Sequence, residues 1–259
     1  MNRSKILLFP LVLSVLQLFG HDDRYECNHK HHQFVQDEWS EETRRNTATE
    51  FSDPILISLG FNCTTATNIQ QNNLRTFAFP FDWMCSSLEG LCALLENDFQ
   101  DFLTPAYLYK KDGSNIVINK KYNLGFWHDF PTYEENGEHW VVPNWAEAIP
   151  EVSLKYQRRI KRFYDALNSG KTVYFFRSAC PRHWALSSIP QTKEMVIKLQ
   201  TILQNKFPNS NFILVVIGEN TDTYYNTHWN MPGVRNFYMQ DSGMPHEWTR
   251  IFKELKLIQ

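Results

Sequence analysis

Short apolar runs without polar alternation are the feature of this sequence that most constrains its fold. Three of them, residues 55–59, 173–176 and 212–217, are followed by a glycine or an arginine. Strands that are buried on both faces have this pattern, and they occur mainly in parallel sheets covered by helices. Helix-like segments alternate with these runs. The sequence therefore predicts an α/β fold with a mostly parallel central sheet and helices on both faces.

The remaining elements follow from helical spacing and from turn residues. The predicted helices comprise residues 63–73, from Ser86 or Ser87 to about 99, 152–167, 192–206 and 245–257. Their expected buried positions are Leu88, Leu91, Cys92 and Leu95 in the second helix, and Leu154, Ile160, Phe163 and Leu167 in the third. The charged residues Lys155, Arg158, Arg159, Lys161 and Arg162 are expected to lie largely outward. Residues 131–150, with three prolines and a glycine, predict a long loop.

The first twenty residues differ from the rest of the chain. A basic start precedes an apolar stretch at residues 6–20, which is the layout of a secretory signal peptide. This stretch is shorter than the ~20 residues of a spanning helix, but a poor cleavage site leaves membrane attachment through it open. We expect export or anchoring, with residues 1–20 as signal peptide or membrane anchor, 21–52 as a polar spacer and 53–259 as a single α/β domain.

Charge and motif content argue against several classes of function. The formal net charge is −2, so no basic excess predicts a nucleic-acid partner. The chain has no GxGxxG, P-loop, GxSxG or HExxH pattern, and its five cysteines form no CxxC pair. The sequence therefore predicts no metal and no other cofactor. The odd number of cysteines leaves at least one thiol without a partner inside the chain.

Cys63 is the strongest candidate for a reactive residue. It follows the first predicted strand and Gly60, and it stands at the beginning of a predicted helix, with Asn62 as a possible N-cap. Backbone N–H groups and the helix dipole at such a position lower the pKa of a thiol and favour the thiolate. An inert buried cysteine is the alternative, because cysteine is among the residue types most often buried.

A histidine and an aspartate stand together at the end of an extended aromatic stretch. His128 is the candidate base for Cys63, and a buried core histidine is the alternative. Asp129 follows it directly, so on a regular strand the two side chains would face opposite ways. Asp129 can orient the imidazole only if the chain turns at this point.

Asp82 and Arg177 are the remaining charged candidates. Asp82 lies between Phe81 and Trp83, so it is either a hydrogen-bonded structural carboxylate or a functional one. Arg177 ends the apolar run at residues 173–176, where it is expected to form an ion pair with Asp82 or to bind an anion. We take Asn62 and Arg177 as candidate binding residues.

Several short motifs, in their order along the chain, resemble a single family. They are Ser58-Leu59-Gly60-Phe61-Asn62-Cys63, Leu74-Arg75, Pro80-Phe81-Asp82-Trp83, the triplet His128-Asp129-Phe130 and parts of residues 155–163. The family has no established function and is described as papain-like cysteine peptidases. The resemblance implies that Cys63 is the nucleophile and His128 its base. The third member stays open between Asp82 and Asp129.

The sequence supports three functional hypotheses. The leading one is a cysteine-dependent hydrolase, a papain-like peptidase or an acyl-transfer enzyme, in which a Cys63–His128 pair acts on a peptide, amide or glycan-linked substrate. The second is a non-catalytic extracytoplasmic protein that binds a ligand or a partner through Trp127, Trp140 and Trp145. The third is a transferase that uses Asp82 and Arg177.

Overall fold

The computed structural model of the chain describes residues 50–178, 192–219, 227–241 and 243–259. The predicted leader at residues 1–20 and the spacer up to residue 49 lie outside the described residues, as do Cys27 and Cys180. Among the residues that are described, no helix is both long and apolar enough to cross a lipid bilayer.

The described residues form strands, α-helices and two short 3-10 helices. The strands are β1 Ile55–Ser58, β2 Met84–Ser86, β3 Leu108–Lys110, β4 Val117–Asn119, β5 Leu124–Phe126, β6 Thr132–Glu135, β7 Glu138–Val141, β8 Thr172–Ser178, β9 Asn211–Glu219 and β10 Val234–Met239. The α-helices are α1 Thr64–Gln71, α2 Leu88–Glu96, α3 Ile149–Leu167, α4 Lys193–Lys206 and α5 Pro245–Glu254. The 3-10 helices are Pro105–Tyr107 and Trp145–Ala148.

Four strands form a parallel sheet in the order β1-β8-β9-β10. Its register aligns Ile55 with Val173, Val173 with Phe212, and Val234 with Leu214. The three apolar runs of the sequence supply β1, β8 and β9, because side chains on both sides of these strands are buried. The predicted α/β fold is thereby confirmed.

Helices cover both faces of the parallel sheet. On one face, Ile57 and Phe175 belong to a core cluster that also contains residues of α2, α3 and α4. On the other face, Phe176 packs in a second cluster with Ile69 of α1 and Trp248 of α5. The neighbours Phe175 and Phe176 thus point to opposite sides, as successive residues of a strand do.

A second, antiparallel sheet has the order β2-β5-β4-β3. Its buried residues Val117, Leu124 and Phe126 belong to the same core cluster as Ile57. The two sheets therefore share one apolar core. The sequence predicts only isolated extended segments here, because each of these strands has three residues and too few side chains to display a period.

The prediction of a long loop at residues 131–150 is wrong. Strands β6 and β7 form a hairpin whose connection is Asn136 and Gly137, with φ of 56° and 81°. Two positive φ angles are typical of a type I′ turn, for which Asn-Gly is the preferred sequence. Pro150 lies in the first turn of α3, where the missing N–H of a proline costs no hydrogen bond.

Three side-chain positions predicted on α3 are also wrong. Leu154, expected inward, is 56% exposed, and Arg159, expected outward, is only 5% exposed. The side chain of Lys155, also expected outward, is only 12% exposed. The buried side of the helix contains Tyr156, Arg159 and Phe163, so charged residues contribute to it. The inward positions of Phe163 and Leu167 are confirmed.

Candidate functional site

Strand β1 is followed by a tight turn with two consecutive residues of positive φ. Gly60 has φ 77° and Phe61 has φ 85°. A bulky residue rarely adopts such a φ, which costs on the order of 1–3 kcal/mol and persists only where the surroundings enforce it. Here the Phe61 N–H donates to Ser86 Oγ at 3.2 Å, and the Phe61 carbonyl accepts from the Ser86 N–H at 3.3 Å. The turn is therefore clamped to β2.

Arg177 holds the same turn from inside the protein. Its residue is 0% exposed. Nη1 donates to the Leu59 carbonyl at 2.8 Å and to Ser86 Oγ at 2.7 Å, and Nη2 donates to the Ser86 carbonyl at 2.6 Å. Arg177 thus connects β1 and β8 of the parallel sheet to β2 of the antiparallel sheet. These contacts make it a positioning residue for the turn.

The turn delivers Cys63 to the N-terminus of α1. Cys63 takes the N-cap position and is 4% exposed. Asn62 lies one residue earlier, and its Oδ1 accepts a hydrogen bond from the Thr64 N–H at 3.0 Å. The hydroxyls of Thr65 and Ser178 are 2.8 Å apart and join α1 to the end of β8. Cys63 thus lies at the carboxyl end of the parallel strands, where open α/β sheets bind ligands.

Cys63 forms a disulfide bond in this structure. Cys85 and Cys92 are buried and form no disulfide. Burial raises the pKa of the Cys92 thiol to about 11, although the positive charges of Lys198 and Arg177 act in the opposite direction. Because the nucleophilic form of cysteine is the thiolate, Cys63 can attack a substrate only after reduction.

His128 lies two residues beyond β5 and is half-buried. Its ring contacts Trp83 edge to face, with 6.4 Å between the ring centroids. Met84 is paired with Phe126 of β5, and Ser86 of the same strand holds the turn before Cys63. Strand β2 therefore connects the segment that carries His128 to the turn that carries Cys63.

Asp82 is buried and forms an ion pair with Arg75. The Arg75 Nη2 atom lies 3.3 Å from Asp82 Oδ2, and the Phe79 N–H donates to the same oxygen at 2.9 Å. The guanidinium of Arg75 also lies over the Trp83 ring, 5.1 Å from its centroid. The cation expected beside Asp82 is thus supplied by Arg75, whereas Arg177 contacts Leu59 and Ser86.

Asp129 is turned toward α3. Its Oδ1 lies 2.6 Å from Lys155 Nζ, and its Oδ2 accepts a hydrogen bond from the Tyr156 hydroxyl at 2.9 Å. Burial alone would raise the pKa of Asp129, but the charges of Lys155 and Arg159 and the two hydrogen bonds outweigh it, and the pKa falls below its ordinary value. Burial and the Asp129 charge raise the pKa of Tyr156 well above its ordinary value. Asp129 is therefore a carboxylate at neutral pH.

Three residues that hold this region together are not among the predicted site residues: Ser86, Arg75 and Lys155. Arg75 and Lys155 lie in the motifs that resemble the family, which is the signal that could have found them. A serine before a helix is normally interpreted as a cap, but here Ser87 has that role and accepts from the Gly90 N–H at 2.9 Å. Within the described ranges, no group of three His, Cys, Asp or Glu side chains is placed to hold a metal ion.

Comparison with known families identifies the protein family of the chain. Residues 55–221, more than half of the chain, match the model of a family described as "Putative papain-like cysteine peptidase". The chain belongs to this family. It is also similar to an uncharacterized protein of Acanthamoeba polyphaga mimivirus, with 26% identity over 185 residues that cover 64% of this chain and 78% of the viral protein. No solved structure matches the chain.

Proposed function

We propose that this chain is a cysteine-dependent hydrolase in which Cys63 is the nucleophile and His128 is the general base. The observation that carries the proposal is the clamped turn at Gly60 and Phe61, which ends on Cys63 at the N-terminus of α1. Backbone strain that the surroundings enforce is concentrated at functional sites. Membership of a family described as cysteine peptidases supports the same class of reaction.

The chemistry starts from the reduced thiol. His128 accepts the Cys63 proton, and the thiolate attacks the carbonyl carbon of a peptide or another amide. The positive end of the α1 dipole stabilises the thiolate, and backbone N–H groups near Cys63 stabilise the oxyanion that develops. His128 then protonates the leaving amine. Water hydrolyses the remaining thioester, releases the acid and restores the Cys63 thiol.

The disulfide makes reduction the first requirement of this mechanism. A disulfide at Cys63 has no proton to give and no thiolate to attack with. Disulfides persist in oxidising compartments outside the cytoplasm, which agrees with the export that we predict from residues 1–20. We therefore expect the oxidised protein to be inactive and a mild reductant to be necessary for activity.

Alkylation of the folded, reduced protein tests the proposal. Iodoacetamide is applied between about pH 5 and pH 9, and the peptide that contains Cys63 is followed by mass spectrometry. We expect Cys63 to react well below about pH 8.5, the ordinary pKa of a thiol, and to react several-fold more slowly in His128→Ala. Cys85 and Cys92, which are buried and form no disulfide, are internal controls that should stay unmodified.

An inert Cys63, or an unchanged rate in His128→Ala, would contradict the proposal and favour the second candidate function. That candidate is non-catalytic binding, and the exposure of three tryptophans keeps it open. Trp127, Trp140 and Trp145 are all only half-buried. Tryptophans with an exposed face are common at binding surfaces.

A further inference from the structure

A buried guanidinium on α3 has one nitrogen with no hydrogen-bond acceptor in the part of the chain that the structure describes. Arg159 is 5% exposed, and its Nη1 atom has no hydrogen-bond acceptor. The guanidinium lies over the Tyr156 ring, 5.6 Å from the centroid. Buried polar groups are normally hydrogen-bonded, so an unsatisfied guanidinium nitrogen in a native fold requires an explanation such as a bound group.

The charges around Arg159 do not cancel. Lys155 is paired with Asp129, and Arg75 is paired with Asp82. These four groups form two neutral pairs, and Arg159 adds one positive charge. The surplus charge lies in the interior of the protein. Because the dielectric constant is lower there than at the surface, the charge attracts an anion more strongly.

Trp83 supplies a second buried donor in the same region. It is 6% exposed, and its Nε1 atom has no hydrogen-bond partner among the described residues. Its ring contacts His128. The Tyr156 ring lies beneath the Arg159 guanidinium, and its hydroxyl donates to Asp129, the residue after His128. The two unsatisfied donors are thus each linked by these contacts to the segment of His128 and Asp129.

We propose that Arg159 and Trp83 bind a carboxylate group of the substrate. This inference rests on the proposed function, because it places the substrate carboxylate beside His128. A guanidinium donates two parallel hydrogen bonds to a carboxylate, and the indole N–H adds a third. One surplus positive charge matches one carboxylate. The carboxylate is either the free C-terminus of a peptide or an acidic side chain, and these two sources share the same chemistry.

Binding is measured in Cys63→Ala, which cannot turn over a substrate. The probes are acetyl-Ala-Ala and its C-terminal amide, and acetyl-Ala-Glu amide and acetyl-Ala-Gln amide. The reporter is the indole ¹⁵N–¹H resonance of Trp83, identified by its loss in Trp83→Phe. We expect one charged peptide to shift this resonance saturably while its neutral counterpart does not. The pair that responds identifies the source of the carboxylate.

Three variants of α3 test the role of the guanidinium. Arg159→Met should weaken the binding of the responding peptide about 10- to 100-fold, because a hydrogen-bonded charge is lost. Arg159→Lys keeps the charge without the fork and should lie between wild type and Arg159→Met. Arg158→Met removes an exposed charge from the same helix and should change binding by less than about twofold.

Thermal melting separates a ligand-binding role from a structural one. Methionine replaces the guanidinium with an apolar chain of similar length, and this burial offsets the lost attraction to Asp129, so the melting temperature of Arg159→Met should be close to that of the wild type. Equal shifts by charged and neutral peptides, or wild-type binding in Arg159→Met, would overturn the inference. If Arg159→Met does not fold, the inference is overturned by an Arg159→Lys variant that binds the peptide as tightly as the wild type. An unreactive Cys63 with intact carboxylate binding would refute only the hydrolase.

Discussion

Gly60 and Phe61 show how single residues depend on distant neighbours in this protein. A Cβ atom on Gly60 would lie 2.8 Å from Ser86 Oγ and 3.2 Å from the Phe81 carbonyl, so only glycine fits there. The positive φ of Phe61 is in turn enforced by two hydrogen bonds to Ser86. The position of Cys63 is thus set by contacts with residues more than twenty positions further along the chain.

Asp129 is the residue whose charge we expect to matter most for stability. Its pKa is below the ordinary value of 3.8, so the unfolded chain binds a proton more readily than the folded protein does. This stabilisation is complete above about pH 5 and is lost as the pH falls through 3.8 toward the folded-state pKa. Asp129→Asn leaves Lys155 buried without its counter-charge and should lower the free energy of unfolding by about 3 kcal/mol at neutral pH.

Urea denaturation at several pH values measures this effect. Below about pH 4 the difference between wild type and Asp129→Asn should shrink, because the carboxylate is then protonated in the unfolded wild-type chain. Asp165→Asn is the matched control: it breaks the exposed pair with Lys161 and should cost less than about 1 kcal/mol. Equal losses in the two variants would show that the buried pair has no special role.

At the scale of elements, the sequence predicts those strands and helices that are long enough to display a repeating apolar pattern. Strands β1, β8 and β9 and helices α3 and α4 display clear apolar patterns. The four strands of the antiparallel sheet have three residues each and do not. The dipeptide Asn136-Gly137 is typical of a hairpin turn and could have predicted the β6–β7 hairpin. The prolines in the same stretch of sequence favour a loop instead.

Helix α2 offers a prediction in which packing opposes helix propensity. A Cβ atom on Gly90 would lie 1.9 Å from the Tyr122 carbonyl oxygen, which is backbone and cannot rotate away. Alanine is favoured over glycine inside a helix by about 1 kcal/mol, but overpacking against backbone costs about 1–3 kcal/mol or more. We expect Gly90→Ala to lower the urea midpoint. The exposed neighbour Glu89→Ala should leave it nearly unchanged, and a stabilised Gly90→Ala would contradict the packing.

The candidate site shows the same limit of prediction. Cys63 and Asn62 could be placed because a strand, a glycine and a helix follow one another directly in the sequence. The burial of Arg159 could not, because a charged residue on a helix is expected to face solvent unless its partners are known. The Arg159 guanidinium lies over the ring of Tyr156, and the Lys155–Asp129 pair lies beside it. Only the tertiary fold brings these residues together.

At the scale of the whole molecule, the two larger sheets share one core, and we propose that residues 53–259 unfold as a single cooperative unit. Phe126 of the antiparallel sheet and Phe175 of the parallel sheet are both 0% exposed and belong to one cluster. Phe126→Ala and Phe175→Ala should each cost about 3–5 kcal/mol. In urea, circular dichroism and tryptophan fluorescence should report one coincident transition, shifted as a whole in both variants. Two transitions, each sensitive to one variant, would mean that the sheets are separate folding units.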